Sequence, residues 1–136
     1  MNTITVLTIV NADRGTVWDA WTTPADIMQW NHASDDWECP HAENDVQVGG
    51  KFSATMAAKD KSMSFDFNGV YTEVTPQVSL AYSIEDGRTV SVHFTTVEGG
   101  TEVTETFEME GENSEEKQRA GWQAIMGNFK AHVEQQ

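Results

Sequence analysis

A chain of 136 residues is long enough for one hydrophobic core and too short for two ordinary domains, so a single domain over residues 1–136 is expected. Its 22 Asp and Glu against 8 Lys and Arg give a net charge of −14, spread along the chain; this argues against nucleic acid and anionic lipid, which need clustered Lys and Arg. The single Cys39 cannot form an internal disulfide, no apolar run approaches the roughly 18 residues of a membrane span, and the N-terminus carries no basic-then-apolar signal segment. The expectation is a cytoplasmic protein without membrane insertion.

Residues 3–10 are rich in β-branched side chains and read as a strand with both faces partly covered. Asp13 is placed to cap a short helix that sets Val17, Trp18 and Trp21 on one face. Pro24 suits the first turn of a second short helix over residues 25–30, where its missing N–H is not needed. Residues 31–50 are mostly polar, with Pro40 and Gly49-Gly50 as breakers; they read as a long crossing segment with a weak strand around 45–48.

Two hairpins follow. Residues 51–58 put Phe52, Ala54 and Met56 on one face, and residues 62–75 put Met63, Phe65, Phe67 and Tyr71 on one face, joined through Lys59-Asp60-Lys61. Beyond Pro76, Val78, Leu80, Tyr82 and Ile84 alternate, as do Val90, Val92 and Phe94. A three-residue loop Glu85-Asp86-Gly87, with Gly87 left-handed, pairs Tyr82 with Val90 and Leu80 with Val92; a two-residue loop would turn Val92 outward. After Glu98-Gly99-Gly100, residues 101–109 carry Val103, Glu105, Phe107 and Met109 on one face, while His93 falls on the face away from the helix.

The chain ends on a helix over residues 114–133, capped by Asn113 or Ser114, whose Trp122, Ile125, Met126, Phe129 and Val133 form one stripe. Gly121 and Gly127 each cost such a helix about 1 kcal/mol relative to Ala, which fits positions where backbone or ligand approaches closely. The order βαα, a run of antiparallel strands, then α predicts an α+β fold: a curved antiparallel sheet of about six to seven strands wrapped around the long C-terminal helix, with a cavity between them.

The motifs Val17-Trp18-Asp-Ala-Trp21, Asp45-Val-Gln-Val-Gly49-Gly50-Lys-Phe52, Gly69-Val-Tyr71-Thr-Glu-Val74, Gly99-Gly100-Thr101 and Gly121-Trp122 together resemble the START-like (SRPBCC, Bet v-like) superfamily over essentially the whole chain. The resemblance is strongest to the branch of the C-terminal domain of the heat-shock-protein 90 ATPase activator. It implies a helix-grip architecture whose cavity, in many members, holds an apolar or amphipathic small molecule; the superfamily spans carriers, receptors, cyclases and co-chaperone domains, so no single reaction is implied.

Glu105 is the first candidate for chemistry, because its strand parity turns it inward among apolar residues, where a carboxyl group must be paired, hydrated or protonated. Arg88 is the nearest predicted cation, two residue pairs away. Trp30, Trp37, Phe65, Phe67, Tyr71, Tyr82, Trp122 and Met126 are expected to line the cavity; the bland reading of the same side chains is plain core packing. The cluster His32, Asp35, Asp36, Cys39 and His41 matches no standard zinc spacing, so neither metal nor cofactor is expected, and no catalytic residue is assigned. Three functions remain open: a carrier of a small hydrophobic or amphipathic molecule, with Arg88 or Glu105 orienting its polar end; a co-chaperone-like module whose partner is a chaperone; and a cyclase- or hydrolase-type enzyme using Glu105 or a cavity His.

Overall fold

A computed structural model describes residues 2–135. The elements follow in the order β1 (Thr3–Val10), α1 (Arg14–Thr22), α2 (Pro24–Trp30), β2 (Trp37–Asn44), β3 (Lys51–Ala58), β4 (Ser64–Thr75), β5 (Ser79–Ile84), β6 (Thr89–Val97), β7 (Gly100–Glu108) and α3 (Glu115–Glu134). The strands form one antiparallel sheet ordered β1-β7-β6-β5-β4-β3-β2, curled into a half-barrel around α3. Chain order and sheet order coincide from β2 to β7, as hairpin connections dictate, and β1 closes the far edge beside β7.

The expected registers are present. Leu80 faces Val92 and Tyr82 faces Val90, with Gly87 at φ 90° completing the three-residue turn. Ala54 faces Phe67 and Met56 faces Phe65 across the other hairpin. Gly69 is required there by a close approach: the Phe52 ring stands 2.5 Å from where a Cβ would sit. Ser114 caps α3, its side chain accepting from the Lys117 N–H. Asp13 takes the N-cap position of α1, but its carboxylate accepts from the Thr16 hydroxyl rather than from a backbone N–H.

One strand departs from expectation. Residues 45–50 form turns, and the strand runs instead over Trp37–Asn44, pairing with β3 through a bulge between Glu38 and His41. Pro40 is tolerated because this strand lies on the sheet edge, where one row of backbone groups has no ladder partner. The opposite edge, β1, is covered by α3. Its outward carbonyls at Thr5, Leu7 and Ile9 accept from Arg119, Gln123 and Lys130, at 3.0, 3.0 and 2.8 Å. Those donors lie on one flank of the helix, so α3 both roofs the concave face and blocks an edge otherwise open to strand pairing.

The space under α3 is filled at one end only. There Trp21 stacks on Trp30 at 4.9 Å, both meet Phe129 edge-on, and Trp18 and Phe94 extend the cluster. The Trp30 indole N–H donates to the Ala20 carbonyl at 3.0 Å, tying α2 to α1. Met126, Phe129 and Val133 are buried along this half of the helix stripe, while Trp122 and Ile125 are only half-buried. Among the described residues no helix is long and apolar enough to cross a membrane.

Candidate functional site

At the other end, α3 stands off the sheet and leaves a cavity of about 440 Å³. Its floor is the concave face of β3, β4, β5 and β7, and its roof is the first half of α3. Phe52, Phe67, Tyr71 and Tyr82 form a continuous aromatic wall, with ring centroids 4.6 to 6.5 Å apart. Trp122 descends from α3, stacks flat on Phe107 at 3.9 Å and meets the edge of Phe67 at 6.3 Å. Exposed lining residues Glu43, Phe65, Asn113 and Lys117 mark the mouth.

Glu105 sits in this cavity because a strand alternates: Thr101, Val103 and Phe107 are buried with it on the same face of β7. Its neighbours across the ladder are Val6 on β1 and Val92 on β6, which offer its carboxyl group nothing polar. At 6% exposure, with no hydrogen bond or ion pair to any described residue, it is pushed up by burial to a pKa of about 8. Tyr82, at 7% exposure, likewise donates its hydroxyl to no described residue; burial, then the nearby Glu105, holds it well above its ordinary 10.

Tyr71 differs from Tyr82. Its hydroxyl donates to Asn44 Oδ1 at 2.6 Å, and Asn44 in turn donates through Nδ2 to the Thr22 carbonyl at 2.7 Å. Burial raises Tyr71 to about 12, although the Asn44 hydrogen bond opposes the shift. Arg88 reaches the cavity, but Asp86 holds its guanidinium at 2.7 Å and the Glu108 carbonyl accepts from it at 3.4 Å; it does not pair with Glu105.

Of the residues singled out from sequence, Trp30, Phe65, Phe67, Tyr71, Tyr82, Arg88, Glu105 and Trp122 line the cavity. Two do not. Trp37 packs with Cys39, Ala42, Ala54 and Met56 in a separate small cluster, against Phe65 at 5.9 Å. Met126 is fully buried, one turn beyond Trp122, where the helix has reached the filled end. Gly121 lines the cavity and Gly127 faces solvent; apart from the chain neighbours and the helix's own backbone, no atom of the described residues lies within 4 Å of either absent Cβ, so neither serves a close approach. At Gly121 the missing side chain adds cavity space.

The polar rim was not anticipated. Asn44 belongs to the strand that the sequence obscured. Gln118 is buried and binds the 110–113 loop back to α3, accepting from the Glu110 N–H at 3.0 Å and donating to the Asn113 carbonyl at 2.7 Å. A buried Gln one turn ahead of the apolar stripe was the available signal. In the Cys39–His41 region the Cys39 thiol donates to the His41 carbonyl at 3.4 Å and is raised by burial; no three potential metal ligands converge among the described residues.

A family profile described as activator of Hsp90 ATPase homolog 1-like protein (AHSA1) matches residues 11–134. The chain belongs to this AHSA1-like family. The solution structure of an AHSA1-like protein from Aeromonas hydrophila is 42% identical, with a TM-score of 0.93 over 98% of this chain and 93% of that one. Chr148 from Cytophaga hutchinsonii is 47% identical, with a TM-score of 0.85 over 99% of this chain and 94% of that one. CV1439 from Chromobacterium violaceum, 22% identical with a TM-score of 0.88 over 98% and 99% of the two chains, shares the fold. No curated protein matches the chain.

Proposed function

We propose that this AHSA1-like chain binds a small hydrophobic or amphipathic molecule in the cavity between its sheet and C-terminal helix. The supporting observation is the pair Glu105 and Tyr82: two polar groups, each more than nine-tenths buried, that face the cavity and have no hydrogen-bond partner among the described residues. Buried polar groups ordinarily find partners in the protein or in ordered water; the oxygens of Glu105 and Tyr82 border the cavity, where the polar end of a bound molecule can take the place of water. The aromatic wall supplies apolar contact, and about 440 Å³ falls in the range of small-molecule sites. The cytoplasmic location read from the sequence remains part of this proposal.

Native mass spectrometry of protein purified from its own host tests the reading. A co-purifying small molecule is expected, and Tyr82→Ala and Glu105→Ala are expected to weaken its binding while the chain stays folded. Unchanged affinity in both variants rejects the cavity as its site.

The family description favours a second reading, a co-chaperone-like interaction module. An ATPase assay with the cognate chaperone discriminates it: stimulation that survives Tyr82→Ala and Glu105→Ala supports a surface role independent of the cavity.

A further inference from the structure

Among the described residues the Glu105 carboxyl group in the cavity has no counter-charge. Val6 and Val92 flank Glu105 on its neighbouring strands, Tyr82 faces it from β5, and α3 presents Trp122 from above. Further out, β4 contributes Tyr71, whose hydroxyl is committed to Asn44. At the mouth stand Glu43 on β2, Glu110 after β7, Lys117 on the first turn of α3 and Arg88, whose charge is already met by Asp86. No protein cation forms an ion pair with Glu105 among the described residues.

We infer that the molecule the cavity takes is an amphipathic amine, its ammonium group seated against the Glu105 carboxylate and the faces of Tyr82, Phe67 and Trp122. This rests on the reading of the cavity as a small-molecule site and adds the chemical class. A cation satisfies three features together. It pairs a carboxylate whose ionisation the apolar surroundings otherwise disfavour. It is attracted by the π-faces of the wall, and its N–H groups donate to the Tyr82 hydroxyl oxygen as well as to Glu105. The acids Glu43 and Glu110 at the mouth are offset locally by Lys117 and Arg88, but the net charge of −14 over the whole chain favours the approach of cations over anions. The apolar part of the amine lies along Phe52 and Ile125 toward the mouth.

Isothermal titration calorimetry with three probes of equal chain length, octylamine, octan-1-ol and octanoate, reads the inference. Octylamine is expected to bind about tenfold or more tightly than octan-1-ol at pH 7. Because Glu105 is mostly protonated at that pH, binding is expected to release about one proton, measured in two buffers of different ionisation enthalpy, and affinity should rise about tenfold per unit between pH 6 and 7. Glu105→Gln is expected to abolish both the preference and the proton release while octan-1-ol still binds. If octan-1-ol or octanoate binds the native protein as tightly as octylamine, or octylamine binds without releasing a proton, the amine assignment is overturned and the cavity reading stands. If none of the three binds, both are overturned.

Discussion

Tyr82 on β5 and Glu105 on β7 stand on either side of β6 and direct their polar ends into the same aromatic cavity. Burial raises the pKa of both, disfavouring their ionisation, and the Glu105 carboxylate adds to the shift of the phenol. The pair is therefore neutral near pH 7 in the unliganded protein.

Glu105 makes stability depend on pH in a definite direction. The folded chain holds its proton up to about pH 8, whereas the unfolded chain releases it near 4.5, so the folded state binds more protons between those values. The contribution of Glu105 is most favourable below pH 4.5 and is lost progressively as pH rises through 8; the total is on the order of 5 kcal/mol. Glu105→Gln removes this titration. Urea midpoints at pH 5 and pH 9 are expected to converge in the variant, and the variant is expected to be the more stable protein at pH 9.

The two ends of the space under α3 should respond differently to truncation. Phe129 is fully enclosed by Trp21 and Trp30, and Phe129→Ala is expected to cost about 3–5 kcal/mol. Trp122 already borders open space and is half-buried, so Trp122→Ala should cost clearly less despite its larger side chain. Chemical denaturation of both variants decides this; equal costs would mean that the cavity end is packed.

The two helical glycines separate propensity from cavity volume. Gly127→Ala places a methyl in open, exposed space and is expected to stabilise by about 0.5–1 kcal/mol. Gly121→Leu has the same helical benefit but projects into the cavity. It is expected to keep or raise the melting temperature while weakening any cavity-bound probe, measured by titration of tryptophan fluorescence.

Tyr71→Phe removes the hydroxyl that donates to Asn44, and with it a link between β4 and β2. A loss of about 1 kcal/mol is expected from denaturant unfolding. Tyr82→Phe, which loses no hydrogen bond to any described residue, is expected to be nearly neutral in the unliganded protein.

The inward position of Glu105 was legible because a strand has a period of two and β7 follows it without interruption from Thr101 to Phe107. The β5–β6 register was legible because only one loop length keeps Val92 inside. β2 was hidden by its bulge: its buried residues Cys39 and Ala42 are three apart, which breaks the alternation, and Pro40 between them reads as a terminator. The exclusion of Met126 from the cavity was not legible either. Helical periodicity gives a residue's face, while its position along the axis relative to the Trp21–Trp30 cluster is set by the packing of α1 and α2. The polar rim depends on the path of the 109–113 loop, which has no periodicity to read.

A carbon-13 NMR titration of the Glu105 side-chain carboxyl in the unliganded protein, assigned by comparison with Glu105→Gln, tests most directly whether this group is held protonated in the cavity. A midpoint near 8 and a protonated signal at neutral pH are expected. A midpoint near the ordinary 4.5 would show the group to be hydrated or paired within the protein, and would contradict the partnerless cavity carboxyl on which the proposed binding rests.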